Sequence, residues 1–145
     1  MKAALAQAKK ARDIDEVPIG AVIVFNDKII ARAHNQKEKS KKAFAHAEIL
    51  AIEKANKKIG DWRLSECELY VTIEPCLMCV GAIMQARIRK VVYGATDPKF
   101  GAIESVVKTF SFAGWNHYPE ISGGVLKEEN SQIIREYFTK KRLNK

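Results

Sequence analysis

The stretch "ELYVTIEPCLMCVGAIMQARIRKVVYGA" (residues 68–95) decides the fold class, because a helical segment stands between two strand-like segments. Residues 68–73 and 90–95 are rich in β-branched and aromatic side chains, which favour strands. Residues 76–87 are mostly apolar all round and follow Pro75, a residue favoured in the first helical turn, so we predict a buried helix there. Strands that alternate with helices are typical of an α/β layered sheet.

The segments on either side extend this pattern. The runs "IGAVIVF" (19–25) and "KIIARA" (28–33) are separated only by Asn26 and Asp27, which predicts a tight hairpin. A helix over 46–58 should stop at a glycine, and the last strand should lie at a sheet edge because proline cannot donate to a ladder. We therefore predict helices at 2–12, 46–58 (ended by Gly60) and 127–142, a charged loop at 36–42, and an edge strand near 118–122 that contains Pro119.

Length, composition and charge narrow the classes of protein. A chain of 145 residues with 47% apolar side chains is typical of one globular domain, here residues 1–145. Its first residues contain no apolar run long enough for a signal peptide or a membrane span, so we expect a cytoplasmic protein. A formal net charge of +8 indicates an anionic partner, with nucleic acid as the first candidate.

Cys76 and Cys79 lie three residues apart, and this spacing alone is compatible with a disulfide, a redox pair, a metal site or simple packing. Three cysteines are an odd number for a disulfide framework, and cytoplasmic thiols stay reduced. At the start of a helix both sulfurs share one face, and the helix N-terminus stabilises the thiolate that binds zinc. The third cysteine, Cys67, is expected to be a buried core thiol.

A histidine is the better candidate for a third ligand. A structural zinc site needs four protein ligands, and the chain has no second Cys-x-x-Cys. Among the three histidines, His46 begins a predicted helix and precedes Glu48 by two residues. Two thiolates, one imidazole and an open fourth position describe a catalytic zinc, which lowers the pKa of a bound water. Such a water needs a proton shuttle, and Glu48 is suited to that role.

Together, "HAE" (46–48) and "PCLMC" (75–79) form the His-x-Glu and Pro-Cys-x-x-Cys pattern of zinc deaminases. With "EVPIGAVIV" (16–24), "DPKFG" (97–101) and "NH" (116–117), the chain resembles the bacterial tRNA-specific adenosine deaminases over nearly its whole length. The resemblance implies a three-layer α/β/α fold like that of cytidine deaminase, with a five-stranded mixed sheet.

The resemblance also implies an activity, the hydrolytic deamination of adenosine to inosine at the wobble position (34) of tRNA-Arg. One Zn²⁺ per subunit would be held by His46, Cys76 and Cys79, and the activated water would attack C6 of the base. Glu48 would carry the protons. The implied partners are the anticodon stem-loop of tRNA-Arg and a second copy of the chain, with the RNA site built across the homodimer interface.

Further site residues follow from the same resemblance. The implied substrate-binding residues are Asn35, Asp97, Lys99 and His117, with Pro18 and Ile19 lining the pocket wall. Each has an ordinary structural alternative as a turn, strand-entry or surface residue. In the tail "REYFTKKRLNK" (135–145) an aromatic side chain precedes a basic cluster, which suits RNA contact but also a solvated helix end. The candidate RNA-binding residues there are Phe138, Lys140, Lys141 and Arg142.

Two other functions remain open at this point. An enzyme of the same fold that deaminates a free base or nucleoside, such as guanine or cytosine, would use the same zinc chemistry. A non-catalytic, zinc-stabilised RNA-binding protein would also explain the ligands and the charge. Glu48 argues against the second, because a structural zinc site has no use for an unliganded acid beside the metal.

Overall fold

The computed structural model describes residues 1–145, which form five strands and five helices. The elements are α1 (Lys2–Asp13), β1 (Gly20–Phe25), β2 (Lys28–His34), α2 (Lys37–Ser40), α3 (Ala47–Ile59), β3 (Cys67–Ile73), α4 (Leu77–Gln85), β4 (Lys90–Ala95), β5 (Glu120–Ser122) and α5 (Lys127–Leu143), with one 3-10 turn at Thr109–Ser111.

The strands form one mixed sheet in the order β2-β1-β3-β4-β5. Strand β1 is antiparallel to both β2 and β3, whereas β3, β4 and β5 run parallel. The predicted five-stranded mixed α/β sheet is therefore confirmed. Strand β5 lies at the edge, as its proline required, although Pro119 stands just before the strand and not within it.

Helices cover both faces of the sheet. On one face α3 packs against β1, β2 and β3 and also contacts α4, and on the other α1 and α5 pack against the central strands and each other. The core on the α3 side contains Ala51, Leu69 and Ile83, all with 0% exposure. On the opposite face α1 approaches β1 so closely that a Cβ at Gly20 would lie 2.1 Å from the Ala4 carbonyl oxygen. A glycine is therefore required at the start of β1.

The predicted turn chemistry is confirmed. Asn26 and Asp27 have φ values of 49° and 61°, the left-handed pair that a two-residue hairpin turn needs. Gly60 ends α3 in the left-handed conformation, with φ of 79°, and its N–H donates to the Asn56 carbonyl oxygen at 2.8 Å. Cys67 is buried at the start of β3, as expected of a core thiol.

Two local predictions were wrong. The predicted charged loop at 36–42 contains the short helix α2, whose first backbone N–H groups donate to the side chains of the preceding Asn35 and of the distant Glu16. Helix α4 begins later than predicted: Cys76 is its N-cap, so Pro75 lies outside the helix. Nor is α4 buried on all sides, since Leu77 in its first turn is 60% exposed.

No helix in the chain combines the length and the apolar character that crossing a bilayer requires.

Candidate active site

One end of the sheet carries a cavity that brings together most of the predicted site residues. Strands β2, β3 and β4 finish at this end of the sheet with His34, Ile73 and Ala95, and β1 begins there with Gly20. Residues next to these four positions line a cavity of about 340 Å³ together with the start of α3 and with Phe138. Ligand sites in open α/β sheets favour this location, beyond the carboxyl ends of the parallel strands.

His46 and Cys76 line this cavity, and the buried Cys79 lies beside them. Two helix starts bring them together, because His46 is the N-cap of α3, Cys76 is the N-cap of α4, and Cys79 lies in the first turn of α4. His46 Nδ1 lies 3.7 Å from Cys76 Sγ and 3.5 Å from Cys79 Sγ. All three donor atoms lie within 4.8 Å of one another.

These separations fit a tetrahedral zinc ion. Bonds of about 2.3 Å to sulfur and about 2.0–2.1 Å to nitrogen place neighbouring ligands roughly 3.5–3.8 Å apart. A donor set of two sulfurs and one imidazole also favours zinc over harder cations. The residues present therefore fit the metal that the sequence pattern predicted.

The protonation of the two thiols is strongly biased. Hydrogen bonds from the Cys79 thiol and from His46 lower the pKa of Cys76 to about 4, against the opposing effect of burial. The hydrogen bond with Cys76 and burial raise the pKa of Cys79 well above its ordinary value. The hydrogen bond with Cys76 also raises the pKa of His46, although burial opposes it. The cluster thus holds a thiolate at neutral pH, the form that binds a cation.

Glu48 lies beside this cluster in the first turn of α3. Its side chain is only 3% exposed but still lines the cavity. Burial raises the pKa of the Glu48 carboxyl to about 7, and the negative charge of Cys76 acts in the same direction. A carboxyl group therefore reaches the cavity next to the three donor atoms without being one of them.

Asn35 forms part of the cavity wall directly after β2 and is 6% exposed. Its side-chain Nδ2 donates to the Val17 carbonyl oxygen at 3.3 Å, and its Oδ1 accepts from the Lys37 N–H at 3.1 Å. Asn35 is thus a turn-forming residue that also faces the cavity.

Asp97 and Lys99 lie in the segment after β4, on the opposite wall. Asp97 Oδ1 accepts from the N–H groups of Lys99 and Phe100 at 3.0 and 3.2 Å, which is the local turn that the motif allowed. Both side chains line the same cavity as Glu48. A turn role and a cavity position therefore coexist at these residues.

Phe138 brings the basic C-terminal helix to the cavity. Its ring lines the cavity and is 42% exposed. The helix is fixed to the end of α1, since Lys141 Nζ lies 2.6 Å from Asp15 Oδ2 and the Tyr137 hydroxyl donates to the Asp15 carbonyl oxygen at 3.2 Å. Lys140 is exposed, and Arg142 donates to Thr139 Oγ1 on its own helix.

Two of the proposed substrate residues lie elsewhere. His117 does not line the cavity. It lies at the opposite end of the strands, where its Nε2 donates to the Ile88 carbonyl oxygen at 2.6 Å. It lines a groove with Arg63, Arg87 and Arg89. Pro18 is buried and is not among the cavity-lining residues, whereas its neighbours Val17 and Ile19 are.

The sequence did not lead us to predict Glu74 as a site residue, although it is one of the residues that line the cavity. Glu74 is 1% exposed and accepts hydrogen bonds from Asp97, Ile103, Glu104 and Ser105. Burial would raise the pKa of Glu74, but these hydrogen bonds outweigh it and lower the pKa below its ordinary value. The motif "EPC" could have indicated this role, because a carboxylate at the end of a buried strand needs hydrogen-bond donors around it.

Gly101 gives a first prediction. A Cβ at this position would come within 2.4 Å of the Glu74 carboxylate, which is buried and held in place by the surrounding amides. We expect Gly101→Ala to destabilise the protein by about 1–3 kcal/mol, as overpacked positions do. Thermal unfolding measures this change.

The control for Gly101 is Gly81→Ala in α4, where an added Cβ meets nothing within 4 Å. Because alanine is the better helix former, this variant should be at least as stable as the parent protein. Equal melting temperatures for the two variants would contradict the crowding at Gly101.

Known proteins resemble this chain along nearly its whole length. A model of the MafB19-like deaminase family matches residues 1–142. A tRNA-specific adenosine deaminase from Bacillus subtilis (strain 168) is 47% identical over 145 residues, which cover 100% of this chain and 90% of that protein.

Solved structures show the same likeness. One, from studies of A-to-I editing by tRNA:A34 deaminases at the wobble position of transfer RNA, has 46% identity and a TM-score of 0.89, covering 92% of this chain and 96% of that one. A guanine deaminase from Bacillus subtilis is more distant, with 33% identity and a TM-score of 0.64 over 93% of this chain and 89% of that one.

Proposed function

The chain belongs to the tRNA-specific adenosine deaminases, hydrolytic enzymes of the cytidine deaminase superfamily, and from this we propose that it converts adenosine 34 of tRNA-Arg to inosine. The observation that carries the proposal is a single cavity into which two different groups project. One is the His46, Cys76 and Glu48 cluster, and the other is Phe138 from the basic C-terminal helix. The first group suits deamination, and the second suits an RNA substrate.

His46, Cys76 and Cys79 would hold one Zn²⁺ in each subunit. The metal, when bound, supplies a water of lowered pKa as the nucleophile for C6 of adenine. The remaining chemistry belongs to the protein. In the net reaction the water oxygen replaces the exocyclic amine at C6, and ammonia leaves.

Glu48 is the proposed proton carrier of this reaction. It lies next to the three donor atoms, and its carboxyl faces the cavity. From there it would take the proton of the attacking water, deliver it to N1 of the base and assist the departure of ammonia. Its burial excludes bulk water from this transfer.

The cavity walls would orient the base. Asn35, whose Nδ2 has a second hydrogen available, would donate to the flipped adenine, and Ile19 would pack against its face. Asp97 and Lys99 would contact the flanking nucleotides from the opposite wall. The base must leave its stack to enter, which is easier in a loop than in a duplex.

His117 remains a proposed RNA contact in spite of its distance from the cavity. It shares its groove with three arginines, so a nucleic-acid backbone is a suitable ligand there. Val17, which lines the cavity where its neighbour Pro18 does not, would touch the base in place of Pro18.

The decisive experiment is inosine formation at position 34 of a tRNA-Arg anticodon stem-loop, with free adenosine, cytidine and guanine assayed beside it. Inosine in the RNA alone is the expected result. Ammonia from guanine alone would favour the function of the guanine deaminase relative and would overturn the tRNA substrate. No turnover of any substrate by zinc-loaded protein would revive the non-catalytic RNA-binding alternative.

Phe138 gives a prediction that separates RNA from small substrates. Because stacking on an aromatic ring contributes about 1–3 kcal/mol per base, Phe138→Ala should lower kcat/KM for the stem-loop by about tenfold. Phe112→Ala is the control, since that ring is 57% exposed and does not line the cavity. If the two variants had the same kcat/KM, Phe138 would not be an RNA contact.

We also propose that the protein is a homodimer. Helix α4 supports this, because it leaves Leu77 60% exposed in its first turn, next to the buried Cys79. A molar mass near twice 16.3 kDa is expected by light scattering. A mass that stays near the single-chain value at assay concentration would contradict the dimer.

A further inference from the structure

Two buried glutamates outside the metal cluster lie at the cavity: Glu74 is one of its lining residues, and Glu16 is not. Glu16 and Glu74 are each 1% exposed. Neither forms an ion pair with a lysine or arginine in this structure. A buried carboxylate is costly unless its oxygens are satisfied, and here backbone N–H groups satisfy them.

Glu74 holds the segment after β4. Its Oε2 accepts from the backbone N–H groups of Ile103, Glu104 and Ser105, at 3.0, 2.8 and 3.1 Å. Its Oε1 accepts from the Asp97 N–H at 3.1 Å and from the Ser105 hydroxyl. The carboxylate thus ties both ends of the 97–105 segment to one point.

Glu16 holds the opposite wall in the same way. One of its oxygens accepts from the Glu38 N–H at 3.2 Å, and the other accepts from the Lys39 N–H. These amides belong to α2, which begins two residues after Asn35 and contains the cavity-lining Lys37. No other side chain accepts a hydrogen bond from these two amides.

We propose that Glu74 and Glu16 are positioning residues that fix the two substrate-contacting walls of the cavity relative to the metal cluster. Glu74 stands two residues before Cys76 in the chain, so one short run carries both a proposed metal ligand and the anchor of the 97–105 wall. The Cys76–Gly101 bridge and the hydrogen bond from the Ala102 N–H to the Pro75 carbonyl oxygen, at 2.9 Å, reinforce this link.

A carboxylate is required at position 74 because both of its oxygens accept hydrogen bonds and neither donates one. In Glu74→Gln the amide oxygen can face the three N–H groups at Oε2, but the NH₂ group then faces the Asp97 N–H, and two donors oppose each other. The Asp97 turn loses its anchor while the side-chain volume is unchanged. Displacement of a substrate-positioning group by about 1 Å is enough to reduce productive binding.

The test uses the zinc-loaded full chain as Glu74→Gln, with Glu66→Gln, an exposed glutamate in another loop, as the matched control. We expect Glu74→Gln to raise KM for the stem-loop by about tenfold, as loss of a hydrogen bond to a charged group does, while zinc content is unchanged and kcat falls less than KM rises. Amide hydrogen exchange should become faster in 97–105. In Glu16→Gln the faster exchange should be confined to 36–40.

Ser105→Ala covers the case in which Glu74→Gln fails to fold. It removes only the hydroxyl donor to Glu74 and leaves the four backbone donors, so a smaller rise in KM with faster exchange in 97–105 is expected.

Wild-type KM and exchange rates in the glutamine variants would overturn the proposal. A lower melting temperature and zinc content with unchanged KM for the folded fraction would also overturn it, because that pattern belongs to a purely structural role. The kinetic readout rests on the proposed function, whereas hydrogen exchange needs no substrate. A wild-type protein that does not deaminate the RNA would therefore refute the function and leave the exchange experiment as an independent test of the two walls.

Discussion

Glu48→Gln should lower kcat for inosine formation by about 10²–10⁴-fold, the range that a positioned general acid–base group contributes. The substitution keeps the shape of the side chain but removes the group that accepts and returns the proton. Because the donor atoms are His46 Nδ1 and the two cysteine sulfurs, zinc content should not change. Single-turnover kinetics on the anticodon stem-loop measure the first effect, and metal analysis of the purified variant measures the second.

The control for this prediction is Glu53→Gln, an exposed glutamate on the same helix α3. It should have parental kcat and zinc content. A Glu48→Gln variant that retained more than about a tenth of the parental kcat would remove Glu48 from the proton-transfer step.

Cys79→Ser should abolish zinc retention and activity together. Cys79 is one of three candidate donors, and the hydroxyl of serine is a poorer zinc ligand than a thiolate. Because Cys79 is 0% exposed, a water molecule from solvent cannot take the place of the lost sulfur. We expect the fall in zinc affinity to exceed the about 10–100-fold that follows loss of an outer-shell partner. Metal analysis after dialysis against a chelator measures it, and thermal unfolding should show a lower melting temperature because metal binding is coupled to folding.

The matched control is Cys67→Ser, which makes the same chemical change at a cysteine that is 1% exposed and lies outside the cluster. This variant should lose stability from its buried hydroxyl but keep its zinc. If both serine variants lost zinc to the same degree, general destabilisation would explain the loss, and the assignment of Cys79 as a ligand would fail.

Much of the candidate site was accessible from local sequence because its chemistry is local. Cys76 and Cys79 share a helix face through their spacing alone, and Glu48 follows His46 by two residues at the start of α3. The hairpin turn at Asn26 and Asp27 was equally local, since these residue types adopt the left-handed conformation more readily than most other non-glycine residues. In each case the decisive contacts lie within a few residues of chain.

Other parts of the site depend on contacts between distant segments. Glu74 meets amides 23 to 31 residues away, and Glu16 meets amides 22 and 23 residues away. The charged composition of 36–42 indicated a loop, whereas α2 forms there with the distant carboxylate of Glu16 accepting from two of its backbone N–H groups. Helix propensities describe only the local sequence, so they cannot reveal a hydrogen-bond acceptor that comes from a distant segment of the chain.

The order of strand and helix segments, the hairpin and the cluster of metal-binding residue types were determined by the sequence itself, because periodicity, turn chemistry and ligand spacing act over one or two turns of chain. Tertiary structure alone decided which side chains share the cavity. It placed Phe138 at the cavity through the docking of α5 on α1, and it placed His117 at the opposite end of the strands. It also buried Glu16 and Glu74 where they hold the segments that line the cavity. The physical reason is that these positions depend on how helices pack across a sheet, and packing is a property of the whole fold.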